Sequence, residues 1–414
     1  MDISVRTATR LEPLLKVLAE DLACARSSEP LRQPLVVVGT RGMERWVLES
    51  IARQNGSIAH VEMVFPEKLM QMIALPKSGI DGTDGRRRAT WKRERLRWEV
   101  LQELRAPHAS QDYEALLKLL ARGAGGDASE VGRNWVAMAT RLADGMERMV
   151  FYRPEWVAKF RAGTVPKELE DWRPEREEGE AVSRWSAAFA LLVQRLLARR
   201  GTLVQEWIEG AEGRPRKPVS LSRYGMTKCS VHLFANSAPS PVMLKTLRAI
   251  SSSRPVYIYV LHPTEAFLDH LDVKKRSRRK RIESEQFTHP MLFGGGHQTL
   301  ELRSLLEELF DDTQEWLEVG PEPEVDAKHA TLLAFTQNRL AQGMPRGETD
   351  RKGRLLFPAP KEEWARLKAD ESILVLKTVD DRRQVEVLRD ELLALLAKDE
   401  VTADQVVVMS PRLA

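Results

Sequence analysis

Gly39-Thr40-Arg41-Gly42-Met43-Glu44 is where glycine, hydroxyl and cation come nearest to a phosphate loop in this 414-residue sequence. Such a loop closes backbone N–H groups around phosphate, reaches the β and γ phosphates with a Lys and holds magnesium with Ser or Thr. No Gly-Lys-Ser/Thr occurs here, and Glu44 sets negative charge where a phosphate would lie. The stretch reads either as a motor-like loop without a working nucleotide site or as an ordinary turn between strand and helix. A second glycine run, Phe293-Gly294-Gly295-Gly296-His297, is also not followed by Lys-Ser or Lys-Thr and reads as a flexible turn.

Cations gather in two places. Lys274-Lys275-Arg276-Ser277-Arg278-Arg279-Lys280-Arg281 holds seven in eight residues. A run of that kind repels itself into an exposed loop, which suits phosphate contact and plain solubility alike. Arg86, Arg87, Arg88, Lys92, Arg93, Arg95 and Arg97 surround Trp91 and Trp98. Seven residues separate the two tryptophans, which predicts that both rings pack on one helix face with the cations opposite.

The carboxylates form no recognisable metal cluster. Nuclease chemistry needs two or three acids around a cation on neighbouring strands, whereas Asp380-Asp381 stands where an acidic pair caps a helix. The eight histidines have no HxxxH or His-Cys spacing, and no Gly-x-Ser-x-Gly elbow occurs. Catalysis by this chain alone is therefore not expected, and no cofactor is assigned to it. Two cysteines, Cys24 and Cys229, are too few for a four-thiolate zinc or iron–sulfur site, and both are expected to be reduced and buried.

The composition is that of a soluble globular protein: 43% hydrophobic, 30% charged, mean hydropathy -0.37. No apolar run reaches a membrane span and the N-terminus lacks a signal-peptide core, so a cytoplasmic protein is expected. The net charge of +4 conceals the local basic runs, which suggest an acidic polymer as partner.

The elements that must position these residues read as α/β. Leu35 to Val38 is a short β-branched run, hence a buried strand, and Met43, Trp46, Val47 and Ile51 follow helical spacing after it. A strand at residues 3 to 6, a helix from Leu11 to Leu22 and a strand at 59 to 64 complete a βαβα pattern. From about 77 to 220 helical periodicity takes over, with the clearest helices at Thr90 to Leu104, Tyr113 to Ala121, Asn134 to Phe151 and Ala181 to Arg199. The α/β pattern resumes with strands Val231 to Phe234 and Val256 to Val260, a parallel pair joined by a helix from Pro241 to Ser251. Helices are predicted at Leu300 to Leu317 and Ala330 to Ala341. A Gly-, Pro- and charge-rich linker follows, then strands Ile373 to Leu376 and Val406 to Val408 around a helix carrying Val385, Leu388, Leu392 and Leu396. One βαβ unit of this size cannot cover both faces of its sheet, so a longer natural chain is expected.

Several segments in this order resemble the RecC family, gamma subunits of bacterial exodeoxyribonuclease V. They are the strand, loop and helix with Gly42-Met43 and Trp46; Val150-Phe151-Tyr152-Arg153-Pro154-Glu155-Trp156; Val231 to Val260 with its Ser237-Ala238 turn; Arg383 to Asp390; and Asp404 to Met409. The resemblance implies a superfamily 1 helicase-like α/β fold that has lost its ATP site. Residues 1–76 and 225–345 would form the 1A-like domain, 77–224 a helical 1B-like insertion, 346–369 a linker and 370–414 the start of a 2A-like domain. It implies a non-catalytic subunit that forms the channel for the 3′ single strand and scans it for Chi. Its partners would be RecB-type helicase-nuclease and RecD-type helicase subunits with single-stranded and duplex DNA, and ATP and Mg2+ would be used by those subunits.

Carried over by position, the strand-reading loop falls on Gly39, Thr40, Arg41 and Arg45, a second region near Phe65 and Gln71, and a third on Asp144, Gly145, Glu147, Arg148 and Arg153. His289-Pro290-Met291-Leu292 fits the family's Pro-Leu-Leu stretch. Asp144 and Arg153 match the best-known family type and Glu147 is a conservative replacement. Gly39, Arg41 and Arg45 replace uncharged polar residues, and Gln71 stands where an aromatic would stack a base. An Arg fork reads base edges differently from a Gln amide, which bears on sequence preference more than on the channel itself. The alternative is an AddB-type helicase/nuclease subunit with its own nucleotide site, which would be expected to carry a Walker loop and more cysteines.

Overall fold

The computed structural model describes residues 3–28, 33–74, 93–121, 128–170, 179–200, 230–235, 239–251, 254–262, 298–299, 301–308, 315–319, 331–341, 369–398 and 401–409. Among these, the chain opens with β1 (Ile3–Ala8) and α1 (Leu11–Ser28), then β2 (Leu35–Val38) and α2 (Arg41–Asn55), then β3 (Glu62–Val64) and α3 (Pro66–Ala74). All four β2 residues are buried, as a strand covered on both faces requires. Thr40 caps α2: its hydroxyl accepts from the Met43 N–H at 3.2 Å from extended backbone at φ -143. Gly56, at φ 78, ends α2 in the left-handed region that a side chain resists.

A helical segment follows: α4 (Arg93–Leu104), α5 (Ala109–Asp112), α6 (Glu114–Ala121), α7 (Ala128–Tyr152), α8 (Pro154–Arg161), α9 (Lys167–Glu170) and α10 (Gly179–Arg200). Leu96, Val100 and Leu104 of α4 share a core with Leu116, Ala143, Met146, Val150, Phe160, Leu192, Val193 and Leu196. That four-residue spacing fixes the buried face of α4 and puts Trp98 half a turn away, where it is 55% exposed. The expectation that this ring packs inward is corrected by the structure. Trp91 lies outside the described residues, as do Arg86 to Arg88 and Lys92.

The sheet is completed by β4 (Val231–Phe234), α11 (Pro241–Ser251), β5 (Val256–Leu261) and β6 (Glu315–Glu318). The six strands lie in the order β3-β2-β4-β5-β1-β6, and every pair is parallel. In the central pairs Val37 stands beside Val64 and Leu233, and Leu233 beside Ile258. One face carries α1 and α2, whose Leu14, Leu18, Val47 and Ile51 pack on Val36, Val38, Phe234 and Tyr259. The other carries α3 and α11, whose Leu69, Met72, Leu244 and Leu247 pack on Val5, Val37, Leu233 and Ile258. The helix read through Leu317 ends earlier: residues 301–308 are helical, and Glu315–Glu318 pairs instead with the open edge of β1.

Under α1 the sheet buries a polar chain. His232 accepts and donates between Ser230 Oγ at 2.8 Å and Tyr259 Oη at 2.9 Å, and the Tyr259 hydroxyl donates to Asp21 at 2.6 Å. Arg6 donates to the same carboxylate at 3.0 Å. Cys24, on the outer side of α1, is an exposed free thiol, not a buried one. Cys229 lies outside the described residues.

The chain divides into two compact units, residues 1–323 with 340–346, and residues 324–339 with 347–414. The start of α12 (Leu332–Ala341) lies in the second unit, where its first N–H groups are satisfied by Asp370 and Ser372, each at 3.0 Å. Then α13 (Asp381–Leu396) is capped by Asp380, which accepts from the Arg383 N–H at 2.7 Å. Neither Ile373 to Leu376 nor Val406 to Val408 forms the expected strand. A strand exists only with a ladder partner, and among the described residues neither segment has one; Val375 is 87% exposed and α13 buries nothing. No helix among the described residues is long and apolar enough to cross a membrane.

Candidate nucleic-acid interface

Gly39 and Thr40 are the whole connection between β2 and α2. The helix begins at Arg41, and the Glu44 N–H already donates to the Thr40 carbonyl at 3.0 Å. Two residues are too few to wrap a phosphate as a Gly-rich loop with a trailing Lys does. No atom lies within 4 Å of a Cβ built on Gly39, and its backbone is not left-handed, so packing does not demand glycine there. Arg41 is exposed; Arg45, also exposed, pairs with Glu49 at 2.6 Å.

This turn sits where connections diverge. From β2 the chain goes through α2 to β3 on one side, and from its neighbour β4 through α11 to β5 on the other. In open parallel sheets the crevice beyond the carboxyl ends at such a point is where ligands lodge. Trp46 of α2 faces Phe234 at the end of β4, ring centroids 6.4 Å apart. The next residue, Ala235, is held at φ 45, a conformation uncommon for a side-chain-bearing residue, with its N–H on the Tyr259 carbonyl at 3.0 Å. The Ser237-Ala238 turn is outside the described residues.

Phe65 leaves the same sheet edge one strand over, since β3 pairs with β2, and its ring is partly buried against the α1–α2 core. Its carbonyl accepts from the Leu69 N–H at 3.0 Å. Gln71 lies on α3.

The third region is carried by α7. Asp144 pairs with Arg148 at 3.1 Å and reaches Arg93, at the start of α4, at 3.9 Å. Glu147 accepts the Arg93 backbone N–H at 3.3 Å. Burial raises the Glu147 carboxyl above its usual range; the Arg93 N–H opposes this, while the charges of Glu94 and Glu67 add to it. Because Glu67 belongs to the first turn of α3, two residues past Phe65, the second and third regions meet electrostatically here. Gly145 has open space around a built Cβ. Arg153 occupies the junction of α7 and α8, its N–H on the Met149 carbonyl at 2.8 Å, its guanidinium 5.9 Å from the Trp156 ring and 3.9 Å from Glu155.

The structure thus brings Glu67 of α3, two residues past Phe65, within electrostatic reach of Glu147, and sets the Gly39–Arg45 turn on the same sheet edge as Phe65. Arg93, which receives Asp144 and Glu147 of α7, was hidden in the sequence inside a basic run. Its signal was position, since a residue opening a helix offers a free N–H to an acid from elsewhere. The tract Lys274, Lys275, Arg276, Arg278, Arg279, Lys280, Arg281 lies outside the described residues, as do Phe293 to His297. Among the described residues no group of three or more His, Cys, Asp or Glu could hold a metal ion.

A family model for the RecC N-terminal domain matches residues 3–342, which contain the sheet and the entire helical segment. The chain belongs to the RecC family. Relatives named RecBCD enzyme subunit RecC include those of Escherichia coli K12, 22% identical over 96% of this chain and 36% of that protein. Others are from Mycolicibacterium smegmatis, 25% identical over 95% of this chain and 32% of that protein, and Mycobacterium tuberculosis, 25% over 92% and 32%. This RecC-family chain spans about a third of the length of the curated relatives it matches.

Proposed function

We propose that the chain works in a RecBCD-type helicase/nuclease, exodeoxyribonuclease V, in double-strand break repair and homologous recombination. Its role is to hold the 3′ single strand in a channel and read it for a Chi-like sequence, with RecB-type and RecD-type subunits supplying ATP- and Mg2+-dependent chemistry. The observation that carries this reading is the RecC family match over residues 3–342. Three features support it. The β2–α2 connection is too short and lacks the Lys of a nucleotide loop, which suits a helicase-like fold without its own ATP site. The turn at Gly39 to Arg45 stands at the diverging point of the sheet. Arg148 of α7 and Arg153 at the α7–α8 junction are held by surface ion pairs, which are worth only about 0–1 kcal/mol and can be exchanged for phosphate.

The test is single-strand binding by the assembled complex over a salt series and an oligonucleotide panel. Arg41→Ala or Arg45→Ala is expected to change preference among sequences, at a cost of roughly 1 to 3 kcal/mol for a bidentate base contact. Arg148→Ala or Arg153→Ala is expected to weaken all strands alike and flatten the salt slope by about 0.7 for each phosphate left without its cation. Equal losses for every oligonucleotide in the Arg41 and Arg45 variants would remove base reading from this turn. Unchanged binding in all four variants would remove the channel.

A further inference from the structure

Trp98 is placed where the core does not use it. The buried side of α4 runs through Leu96, Val100, Glu103 and Leu104, and Trp98 projects from the opposite side, 55% exposed. One neighbour accompanies it: the Arg97 guanidinium lies 5.0 Å from the centre of the Trp98 ring. Arg97 has no carboxylate partner among the described residues, and its Nε is buried without an acceptor. Among the described residues, the Trp98 indole face is what this guanidinium lies against. Arg93 and Arg95 are exposed on the same helix and Arg105 is exposed just past its end, against the acids Glu94 and Glu99, of which Glu99 pairs with Arg95 at 3.3 Å. The exposed side of α4 is net positive, with an aromatic plate at its middle.

From this we propose that Trp98 and Arg97 form a stacking platform for an unpaired base of single-stranded DNA. The proposal rests on the single-strand reading above and adds a contact outside the three segments already named. A guanidinium on one side of an indole leaves the other side for a base, and base–aromatic stacking tolerates any sequence because every base has a π face. The charge of Arg97 meets the phosphate next to the stacked base. Arg93 joins α4 to α7 through Asp144 and Glu147, so the platform is anchored to the helix that carries Arg148. A protein partner would favour a broader apolar patch around the ring. Here the residues a turn away are Glu94, Arg95, Leu101 and Gln102, of which Leu101 is partly buried against the helical core and the other three are exposed and polar.

The experiment measures binding of the 414-residue chain to labelled oligo-dT and to the same strand with abasic spacers, by fluorescence anisotropy. Trp98→Ala is expected to weaken oligo-dT binding about five- to hundredfold, as the loss of one stacked base does. Trp98→Phe should retain most of the affinity. The salt slope should stay that of the parent, and the abasic strand should bind parent and Trp98→Ala equally. Because Trp98 lies outside the core, circular dichroism should be unchanged. Unaltered oligo-dT affinity in Trp98→Ala overturns the platform, as does a loss equal for abasic and normal strands. If that variant instead fails only to assemble with RecB-type and RecD-type subunits, the plate is a protein interface and the proposal falls. A parent that binds no oligo-dT also overturns it. Weakened binding in Trp98→Ala with none in Arg148→Ala or Arg153→Ala would sink the channel reading and leave the platform standing.

Discussion

His232 shows what burial does to one side chain. It is fully enclosed, stacked on Tyr257 at 4.9 Å, and its hydrogen bonds to Ser230 and Tyr259 are those of a neutral ring. Burial, with a smaller push from the Arg6 charge, lowers its pKa to about 3. Between that value and the free histidine value of about 6.5, the unfolded chain binds a proton that the folded chain does not. The sign follows: stability is full above about pH 6.5 and is lost as the pH falls toward 3. The slope is about 1.4 kcal/mol per pH unit from this group. Asp21, raised by burial against the opposing Tyr259 and Arg6 interactions, acts in the opposite direction at the acid end of that range. Urea unfolding at pH 7, 6 and 5 should therefore show His232→Gln losing less stability on acidification than the parent. Parallel losses would mean that the ring takes its proton in the folded state.

The segment from α4 to α10 is tied together by a buried carboxylate in addition to its apolar seam. Glu103 of α4 is 1% exposed, and it accepts from Tyr113 at 3.0 Å, contacts His108 at 2.8 Å and pairs with Arg199 and Arg195 of α10. Burial alone would raise this carboxyl, but hydrogen bonds from His108 and Tyr113 and the Arg199 charge outweigh it and hold it below its usual range. Arg195 also reaches Asp112 at 2.6 Å, so two helices far apart in sequence are tied at a single place. Removing the acid takes the acceptor from the buried Tyr113 hydroxyl and the counter-charge from Arg195 and Arg199. Glu103→Ala should cost roughly 2 to 4 kcal/mol, read from the denaturation midpoint, whereas the exposed pair partner Glu155→Ala should cost under about 1 kcal/mol. Similar small losses in both would mean that the seam admits water at Glu103.

At the scale of the whole molecule the two units differ in how they are covered. In the first, apolar residues of β2, β4 and β5 are enclosed by helices on both faces. In the second, Leu374, Val375, Val379, Val385, Leu393, Val407 and Met409 are exposed. Amides with no ladder and no burial open at little cost. Hydrogen exchange of the 414-residue chain should accordingly be fast for residues 373–379 and 406–409 and slow for Val231 to Phe234. Protection in those segments equal to β4 would show that they acquire a partner in solution.

What the sequence determined by itself was local. Leu35 to Val38, Val231 to Phe234 and Val256 to Val260 were legible as strands because short, largely apolar and β-branched or aromatic runs favour a buried strand, and the last extends one residue further, to Leu261. The Asp380 cap and the helix carrying Val385 to Leu396 were equally plain, since capping and 3.6-residue spacing act over one turn. Tertiary structure decided whatever depends on a distant partner. Glu315–Glu318 is a strand because β1 offers an edge, while Ile373 to Leu376, more apolar, meets no such edge among the described residues. Trp98 turned outward because Leu96, Val100 and Leu104 claimed the core face. Arg93 met Asp144 and Glu147 across a separation of about fifty residues that no local pattern encodes. Periodicity tells a helix which face to bury, but only the packed chain says which carboxylate waits at its end.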